Sequence, residues 1–389
     1  MKTRNLIIFA MLSTLLVLTS FSEYGMTCQA QETELYPVRV NGKEGYIDAT
    51  GRIVIKPQFQ SVEYFSEGLA HVRIGNKSGF IDKTGRFVIN PQFDNARGFS
   101  EGLAQVGKMS NNDGPVPVYK WGYIDKTGRI VINPQFDDAL DFSEGLAAVL
   151  IGDRFTSGRW GYIDKTGTFV INPQFNSGFD FHEGLASVSY GAYSNNDFGN
   201  TKGKFIDKTG RDFFNTQISS TFSFSEGLAH IYYYDYSDGY IDKSGHFVIN
   251  TSMYAFEQEF KEGLARVMIC TSKKDLRIGI WGFIDKSGRC VITPQFDKAE
   301  DFSEGISCVR IGGKYGIGKY GYINKTGSFI INPQFEYAES FRSGIAPVVI
   351  NNKFQYIDKK GNVVWTSEEF PSYIDNKITF LPIEESYYE

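Results

Sequence analysis

The chain has 389 residues, of which 41% are hydrophobic and 15% are aromatic, and its formal net charge is −5. This composition is typical of a folded protein rather than a disordered one. The net negative charge argues against a nucleic acid or an anionic membrane surface as partner, because both attract clustered basic residues.

The segment 1–30 is predicted to be a signal peptide. Lys2 and Arg4 precede an apolar stretch over residues 6–18, and a small-x-small cleavage site ends at Ala30. The apolar stretch is short for a membrane span, so we expect cleavage near Ala30 and no membrane-spanning segment afterwards. The mature protein would then be secreted, periplasmic or on the cell surface. The alternative is a lipoprotein that is lipidated at Cys28.

From residue 35 onward the chain is a tandem array of nine units. Each unit has a Leu-Ala-x-Val segment followed by an Ile-Asp-Lys-Thr-Gly turn, and the units begin near residues 35, 69, 103, 146, 185, 228, 264, 306 and 345. From the turn acid to the next unit the distance is 21 residues in seven cases and 22 in one, whereas 13 to 22 residues separate a unit's start from its turn acid. The length variation therefore lies in one loop per unit. The repeats are assigned to residues 31–365, and residues 366–389 form a tail that is expected to supply a closing strand or a cap.

The third unit shows the predicted local structure. Residues 121–124 and 130–132 are β-branched or aromatic and flank an Asp-Lys-Thr-Gly hairpin turn at residues 125–128. Pro134 is expected to end the second of these strands at Asn133, because proline cannot donate to the ladder. The three successive apolar residues 130–132 predict cover on both faces of the sheet. The fold class is therefore all-β, with units that bury a core by stacking on each other.

Phenylalanines recur after each Pro-Gln pair and before each Glu-Gly pair, and they are predicted to form the core. The turn acids and the glutamates before glycine also recur at fixed places. Catalysis needs one asymmetric set of acids and bases, so these repeated carboxylates are predicted to cap turns. The sequence predicts no catalytic residue, no metal site and no cofactor.

The string Trp-Gly-Tyr-Ile-Asp-Lys-Thr-Gly at residues 121–128 and 160–167, its variant at 281–288 and the Phe-Ser-Glu-Gly-Leu-Ala segments that follow resemble the bacterial WG-repeat (KWG-repeat) family. The resemblance covers residues 35 to about 365. It implies a binding or scaffolding module rather than a defined reaction. Tryptophan is not the common functional group, because the same position holds, in other units, Glu44, Ser78, Lys202, Asp238, Tyr320 or Phe354.

Two arrangements suit such units. The preferred one is a propeller-like toroid of antiparallel β-meanders, and the alternative is an open twisted β-solenoid.

Histidines and cysteines give weaker signals. His71 and His230 occupy the variable slot of Leu-Ala-x-Val, which predicts exposure to solvent. Cys290 is expected to be buried because it replaces an apolar strand residue, and Cys308 is expected at the surface. Whether Cys270, Cys290 and Cys308 form a disulfide stays open.

The longest loops are the candidates for recognition. They cover roughly residues 107–120, 152–159, 189–203, 270–281 and 312–320, and insertions at one position of every repeat project from one edge of an array. The candidate binding residues in them are Asn111, Asn112, Asp113, Arg154, Tyr193, Asn195, Asp197, Lys273, Lys274, Arg277 and Tyr315. The Asn- and Asp-rich loops have too few carboxylates for a calcium site, so solvated turns are favoured there.

The main functional hypothesis is an exported, non-enzymatic repeat protein that presents these loops to a protein or glycan of the cell envelope or of a host. One alternative is a glycan-processing hydrolase or lyase, in which a non-repeated carboxylate such as Asp153 or Asp235 faces a His, Arg or Tyr. The other is a purely structural spacer of the envelope.

Overall fold

The structure is a computed structural model that describes residues 34–111, 117–153, 157–190, 202–214, 218–221, 223–233, 238–251, 254, 256–270, 279–312 and 318–374. The predicted signal peptide and the segment 375–389 lie outside this part. The described chain is almost entirely β-strand, and it forms nine small antiparallel blades.

The strands follow one another blade by blade. Blades 1 to 3 contain β1 (Tyr36–Val40), β2 (Lys43–Ile47) and β3 (Ile53–Phe59); β4 (Ser61–Val62), β5 (Leu69–Ile74), β6 (Lys77–Asp82) and β7 (Phe87–Phe93); and β8 (Asn95–Ser100), β9 (Leu103–Asn111), β10 (Val118–Asp125) and β11 (Ile130–Phe136). Blades 4 to 6 contain β12 (Asp138–Ala139), β13 (Ala147–Ile151), β14 (Arg159–Ile163) and β15 (Phe169–Phe175); β16 (Ser177–Gly178), β17 (Leu185–Tyr190) and β18 (Lys202–Asp207); and β19 (Ile218–Thr221), β20 (Leu228–Tyr233), β21 (Asp238–Asp242) and β22 (Phe247–Asn250). Blades 7 to 9 contain β23 (Phe256–Glu257), β24 (Leu264–Cys270), β25 (Gly279–Asp285) and β26 (Cys290–Phe296); β27 (Lys298–Ala299), β28 (Ile306–Ile311), β29 (Lys319–Asn324) and β30 (Phe329–Phe335); and β31 (Tyr337–Ala338), β32 (Ile345–Ile350), β33 (Lys353–Asp358) and β34 (Val363–Ser367).

Within a blade, each strand pairs with the next one along the chain. The short first strand, here called the inner strand, lies at the ring's centre, because inner-strand residues of blades 8 and 9 line a common cavity with Tyr64 of blade 2. The last strand is the outer strand. Blades 5 and 6 share one seven-stranded sheet, because β18 pairs with β19.

The nine blades close into a ring. The Tyr356 hydroxyl donates a hydrogen bond to the Pro37 carbonyl at 3.0 Å, and the Ser367 hydroxyl donates to the Arg39 carbonyl at 3.1 Å. A single hydrophobic cluster contains residues of both the first and the last blade. These contacts confirm the toroid and exclude the open solenoid.

Blade 1 has three strands where most blades have four, and its inner edge is covered by the chain that follows β34. The carboxylate of Glu44 is fully buried there and accepts hydrogen bonds from the backbone amides of Val62 (2.8 Å) and Ser372 (2.6 Å). Burial raises the pKa of Glu44 despite these bonds. Ile374, at the end of the described chain, is also fully buried.

The core lies between blades, as the repeated phenylalanines predicted. In each of eight interfaces, the phenylalanine before the Glu-Gly pair packs on the Tyr or Phe of the preceding blade's third strand, with ring centroids 4.8–5.0 Å apart. Tyr123 and Phe142 are one such pair, and the Tyr123 hydroxyl also donates to the Leu140 carbonyl at 2.7 Å. Stacking thus buries what one unit cannot.

The outer strands correct two predictions made for the third unit. Ile130 is 48% exposed and only Ile132 is buried, so the apolar run is not covered on both faces. The reason is that β11 is an edge strand with no neighbour beyond it. The strand also continues past Pro134 to Phe136 through a bulge, a place where proline is tolerated.

The second strand of each blade corrects the predictions for the variable slot. His71 is 7% exposed and His230 and Cys308 are fully buried, because this strand lies between two others and is covered on both faces by neighbouring blades. Cys290, which begins an outer strand, is exposed instead.

The register of blade 5 corrects one alignment. Gly203 pairs with Ser189 as Trp160 pairs with Leu150, so Gly203, and not Lys202, occupies the tryptophan position.

Candidate functional site

The ring has two different ends. The Lys126 ammonium lies 2.9 Å from the Glu67 carbonyl, so the Asp-Lys-Thr-Gly turns and the Glu-Gly turns lie at the same end, here called the turn end. In an antiparallel meander the hairpin between the second and third strands then points the other way. The sequence places all the long insertions in this hairpin, and its described stems, such as the pair of Asn111 and Val118 in blade 3, reach the opposite end, here called the loop end.

The turn acids act within their own turns. Asp125 Oδ1 accepts hydrogen bonds from the Thr127 hydroxyl (2.6 Å), the Thr127 amide (3.0 Å) and the Arg129 amide (3.1 Å). The bond from the Thr127 hydroxyl, helped by those from Arg129, lowers the pKa of Asp125 to about 2. The predicted turn-capping role is confirmed for this acid.

The glutamates before glycine act between blades. Glu101 Oε2 accepts a hydrogen bond from the Gly145 amide of the next blade at 2.9 Å and lies 3.3 Å from the Lys165 ammonium of that blade. We call this arrangement the glutamate staple. It recurs in seven described pairs: Glu67 with Lys126, Glu101 with Lys165, Glu144 with Lys208, Glu183 with Lys243, Glu226 with Lys286, Glu262 with Lys325, and Glu304 with Lys359. These carboxylates are therefore part of the framework.

The glutamate staple is missing where blade 9 meets blade 1, an interface here called the seam. Ser343 stands where other blades have glutamate, and Ala49 stands where the partner lysine would be. The seam is held instead by the Tyr36 hydroxyl, which is 2.8 Å from the Ser343 carbonyl, and by an ion pair of 3.4 Å between Arg342 and Glu34.

A cavity of about 660 Å³ lies beside the seam, here called the seam cavity. Lys298, Glu300, Tyr337 and Glu339, in or directly after the inner strands of blades 8 and 9, line one side, and Tyr36 and Tyr64 of blades 1 and 2 are on the other. The Tyr337 hydroxyl donates to Glu339 Oε1 at 2.7 Å, and burial, followed by the charge of Glu339, raises the pKa of Tyr337.

A second polar group faces the centre of the ring from blades 3 and 4. Arg97 donates to Gln105 Oε1 at 2.9 Å, Gln105 donates to Asp141 Oδ1 at 2.7 Å, and the Arg97 guanidinium lies 4.6 Å from the Trp121 ring centroid. These side chains hydrogen-bond to each other across two blades, so we assign them a structural role.

The candidate residues from the sequence lie outside the described residues, apart from the backbone of Asn111. These are Asn111, Asn112, Asp113, Arg154, Tyr193, Asn195, Asp197, Lys273, Lys274, Arg277 and Tyr315. Asp235 also lies outside, whereas the Asp153 carbonyl accepts a hydrogen bond from the Gly158 amide at 2.6 Å inside its hairpin. The predicted binding side chains therefore stay predictions.

The seam cavity was missed by sequence reasoning, although the signal was present. In a closed ring, Ser343 and Ala49 must face each other, and both break the Glu and Lys pattern. Within the described ranges, no cluster of three or more His, Cys, Asp or Glu side chains has the arrangement of a metal site. No described helix is long and apolar enough to cross a membrane.

The fold and its repeated turns define a nine-bladed β-propeller. A family model described as WG containing repeat matches residues 45–77, 79–108, 121–155, 160–192, 239–269, 281–315 and 320–354. The chain therefore belongs to the WG-repeat family. The unmatched residues 193–238 include Gly203, where the tryptophan position is altered. A WG-repeat β-propeller is typically a non-catalytic binding or scaffold module.

No curated protein sequence matches the chain. Among solved structures, the chain is similar to the crystal structure of the eukaryotic initiation factor, with a TM-score of 0.61 and 11% identity over 87% of this chain and 97% of that chain. BamB from Moraxella catarrhalis aligns with a TM-score of 0.34 and 12% identity over 85% and 92% of the two chains. Acylaminoacyl peptidase from Pyrococcus horikoshii aligns with a TM-score of 0.39 and 11% identity over 72% and 53%. The first similarity shows a common fold alone, and the two lower scores support no inference about function.

Proposed function

We propose that the protein is an exported, non-catalytic binding module that engages a protein or a glycan of the cell envelope or of a host through its loop end. The observation that carries this proposal is that every long insertion in the sequence joins two described strands that reach the same end of a closed ring. A rigid scaffold with variable loops on one face is a common arrangement for recognition.

The hairpin of blade 3 supports this proposal in most detail. Its ladder runs from the pair of Leu103 and Asp125 to the pair of Asn111 and Val118, whereas the hairpin of blade 2 ends at the pair of Ile74 and Lys77. The extra ladder pairs carry the strands of blade 3, up to Asn111 and Val118, farther from the turn end than the strands of the blade 2 hairpin reach. An extended stem lowers the entropy lost when a loop binds.

The non-catalytic part of the proposal is supported by the use of the repeated carboxylates. The turn acids cap their own turns, and the glutamates before glycine join neighbouring blades, so these groups are engaged in the frame. Export is supported by the basic and apolar pattern of the segment 1–30.

The test exchanges loops for a short hairpin that this protein already contains. Residues 107–120 and, separately, residues 189–202 are replaced by residues 73–77 of blade 2, which keeps the strand register. The control variant is Arg129→Ser, a substitution at the turn end where the side chain is 78% exposed. The mature proteins are compared on a glycan array and by cross-linking to envelope extracts with mass spectrometry.

We expect the loop replacements to lose a ligand that the wild type and the Arg129→Ser protein both retain. Unchanged binding in both replacements would reject the loops as the recognition surface. If the wild-type protein retains no glycan and no protein above background, a structural spacer is the better explanation.

A further inference from the structure

The seam cavity has the dimensions of a ligand site rather than a packing defect. Its volume of about 660 Å³ lies within the range of roughly 300–1,000 Å³ that is typical of small-molecule sites. It lies at the seam, where the glutamate staple is absent and where the walls come from four different blades. Its lining is consequently unlike that of any other interface in the described ring.

The residues of the inner strand show how the cavity differs from the repeat. Tyr337 of blade 9 corresponds to Ser177 of blade 5, and Glu339 corresponds to Leu140 of blade 4. A blade therefore forms with serine at the position of Tyr337 and with leucine at the position of Glu339. The bulky aromatic and acidic side chains of blade 9 are therefore not needed for the blade to form.

Four of the five charged side chains that line the cavity, Lys298, Glu300, Glu304 and Arg342, form ion pairs within the protein. Lys298 lies 2.8 Å from Glu300, and Glu304 lies 2.8 Å from Lys359 on the same blade interface. Arg342 forms its ion pair with Glu34, and its guanidinium also lies 4.3 Å from the Tyr64 ring centroid. An anion that entered would have to break the pair of Lys298 or of Arg342 and leave a carboxylate uncompensated. A neutral ligand has no such cost.

The same lining offers hydrogen bonds of both kinds next to aromatic rings. Carboxylate oxygens of Glu300 and Glu339 accept, the Lys298 ammonium donates, and the partly exposed Tyr64 adds ring surface, whereas the rings of Tyr36 and Tyr337 are buried in the wall. A pyranose ring matches this combination, because its hydroxyl groups both donate and accept while its C–H face is apolar. Hydrogen bonds to charged groups are stronger than those between neutral groups, so paired side chains still orient such a ligand.

We propose that the seam cavity is a binding site for a neutral saccharide, held between the inner strands of blades 8 and 9 and the tyrosines of blades 1 and 2. This site is separate from the loop end. Its occupation bridges the seam and so stabilises the closed ring.

The test measures saccharide binding to the full mature chain by isothermal titration calorimetry. The probes are glucose, N-acetylglucosamine and their β-1,4-linked disaccharides. The variants Glu339→Leu and Tyr337→Ser place residues that other blades carry at the same positions. The matched control is Gln258→Leu, which changes the position equivalent to Glu339 in blade 7, outside the cavity.

We expect one of the probes to bind the wild type and the Gln258→Leu protein equally, and to bind Glu339→Leu and Tyr337→Ser at least tenfold more weakly. Hydrogen–deuterium exchange on the wild type needs no variant, and it should show slower exchange of residues 298–304 and 337–347 when the saccharide is present.

Three results would overturn the proposal: no binding of any probe at millimolar concentration, equal binding by all four proteins, or protection confined to the loop end. Tighter, salt-dependent binding of oligolysine at the same residues would assign the cavity to a cationic ligand instead. Because the loop replacements leave the seam intact, failure of this site and failure of the loop-end proposal are distinguishable.

Discussion

The glycine of the Trp-Gly pair offers the sharpest test of how the repeat folds. A Cβ atom added at Gly122 would lie 2.5 Å from the Pro134 nitrogen and 2.6 Å from the Asn133 carbonyl carbon. These are backbone atoms of the outer-strand bulge, so the strand itself would have to move. The same approach to a proline recurs at Gly45, Gly79, Gly161, Gly282 and Gly321. Blade 9 has Gln355 at this position and no proline in its outer strand.

The cost of Gly122→Ala follows from this geometry. Overpacking a protein interior costs about 1–3 kcal/mol in free energy of unfolding. The added methyl group would contact backbone rather than a flexible side chain, so we expect Gly122→Ala to cost about 3 kcal/mol. The unfolding entropy is about 2.1 cal/mol/K per residue, which gives roughly 0.7 kcal/mol/K for the whole propeller of about 340 residues. The midpoint of thermal unfolding should therefore fall by about 4 °C.

Circular dichroism of the wild type, Gly122→Ala and Gln355→Ala measures this effect. Gln355 occupies the same strand position without a proline bulge against it, so its substitution should cost less than about 0.5 kcal/mol. Equal midpoints for the two variants would refute the explanation of the glycine by the bulge.

Three further predictions address the core, the thiols and the glutamate staple. Phe142→Ala should destabilise the protein by about 3–5 kcal/mol in urea unfolding, because a buried ring is lost, and a cost below about 1 kcal/mol would contradict its assignment to the core. Under native conditions iodoacetamide should modify Cys290 quickly and Cys308 only after unfolding, as mass spectrometry of peptides can show; equal rates would contradict the burial. Burial acts to raise the pKa of Glu101, but the hydrogen bonds from the Gly145 amide and from Lys165 outweigh it, so the pKa is lowered. The contribution of Glu101 to stability is therefore present above its unfolded pKa and is lost as the pH falls through its folded pKa. Lys165→Ala should cost less than about 1 kcal/mol at pH 7 and less again at pH 2, where only its hydrogen bond to the Glu101 carbonyl remains; an equal cost at both pH values would refute this account.

Much of the fold could be predicted from the repeat. The spacing predicted nine units, the Asp-Lys-Thr-Gly strings predicted hairpin turns, and the repeated phenylalanines predicted the interfaces, as Phe142 and Tyr123 confirm. These features depend on neighbours that are close in sequence or that occupy equivalent places in adjacent units. A pattern that recurs in every unit reports them directly.

Other predictions failed because burial depends on a residue's radial position in the ring. His71 was predicted to be exposed because its slot is variable, yet the second strand is covered on both faces. Ile130 was predicted to be covered because it belongs to an apolar run, yet it lies on an outer strand with no neighbour beyond it. A variable residue in a buried strand and an apolar residue at an edge give misleading signals from sequence alone.

The sequence by itself determined the all-β class, the repeating unit, its turns and the position of the variable loops, since these follow from local patterns. Only the tertiary structure decided that the array closes, because closure depends on contacts between the first and the last blade, such as Tyr356 with Pro37, which lie far apart in the chain. Closure also creates the seam, where Ser343 and Ala49 replace the glutamate staple and a polar cavity remains. The repeat therefore specifies the frame, and ring closure specifies the seam.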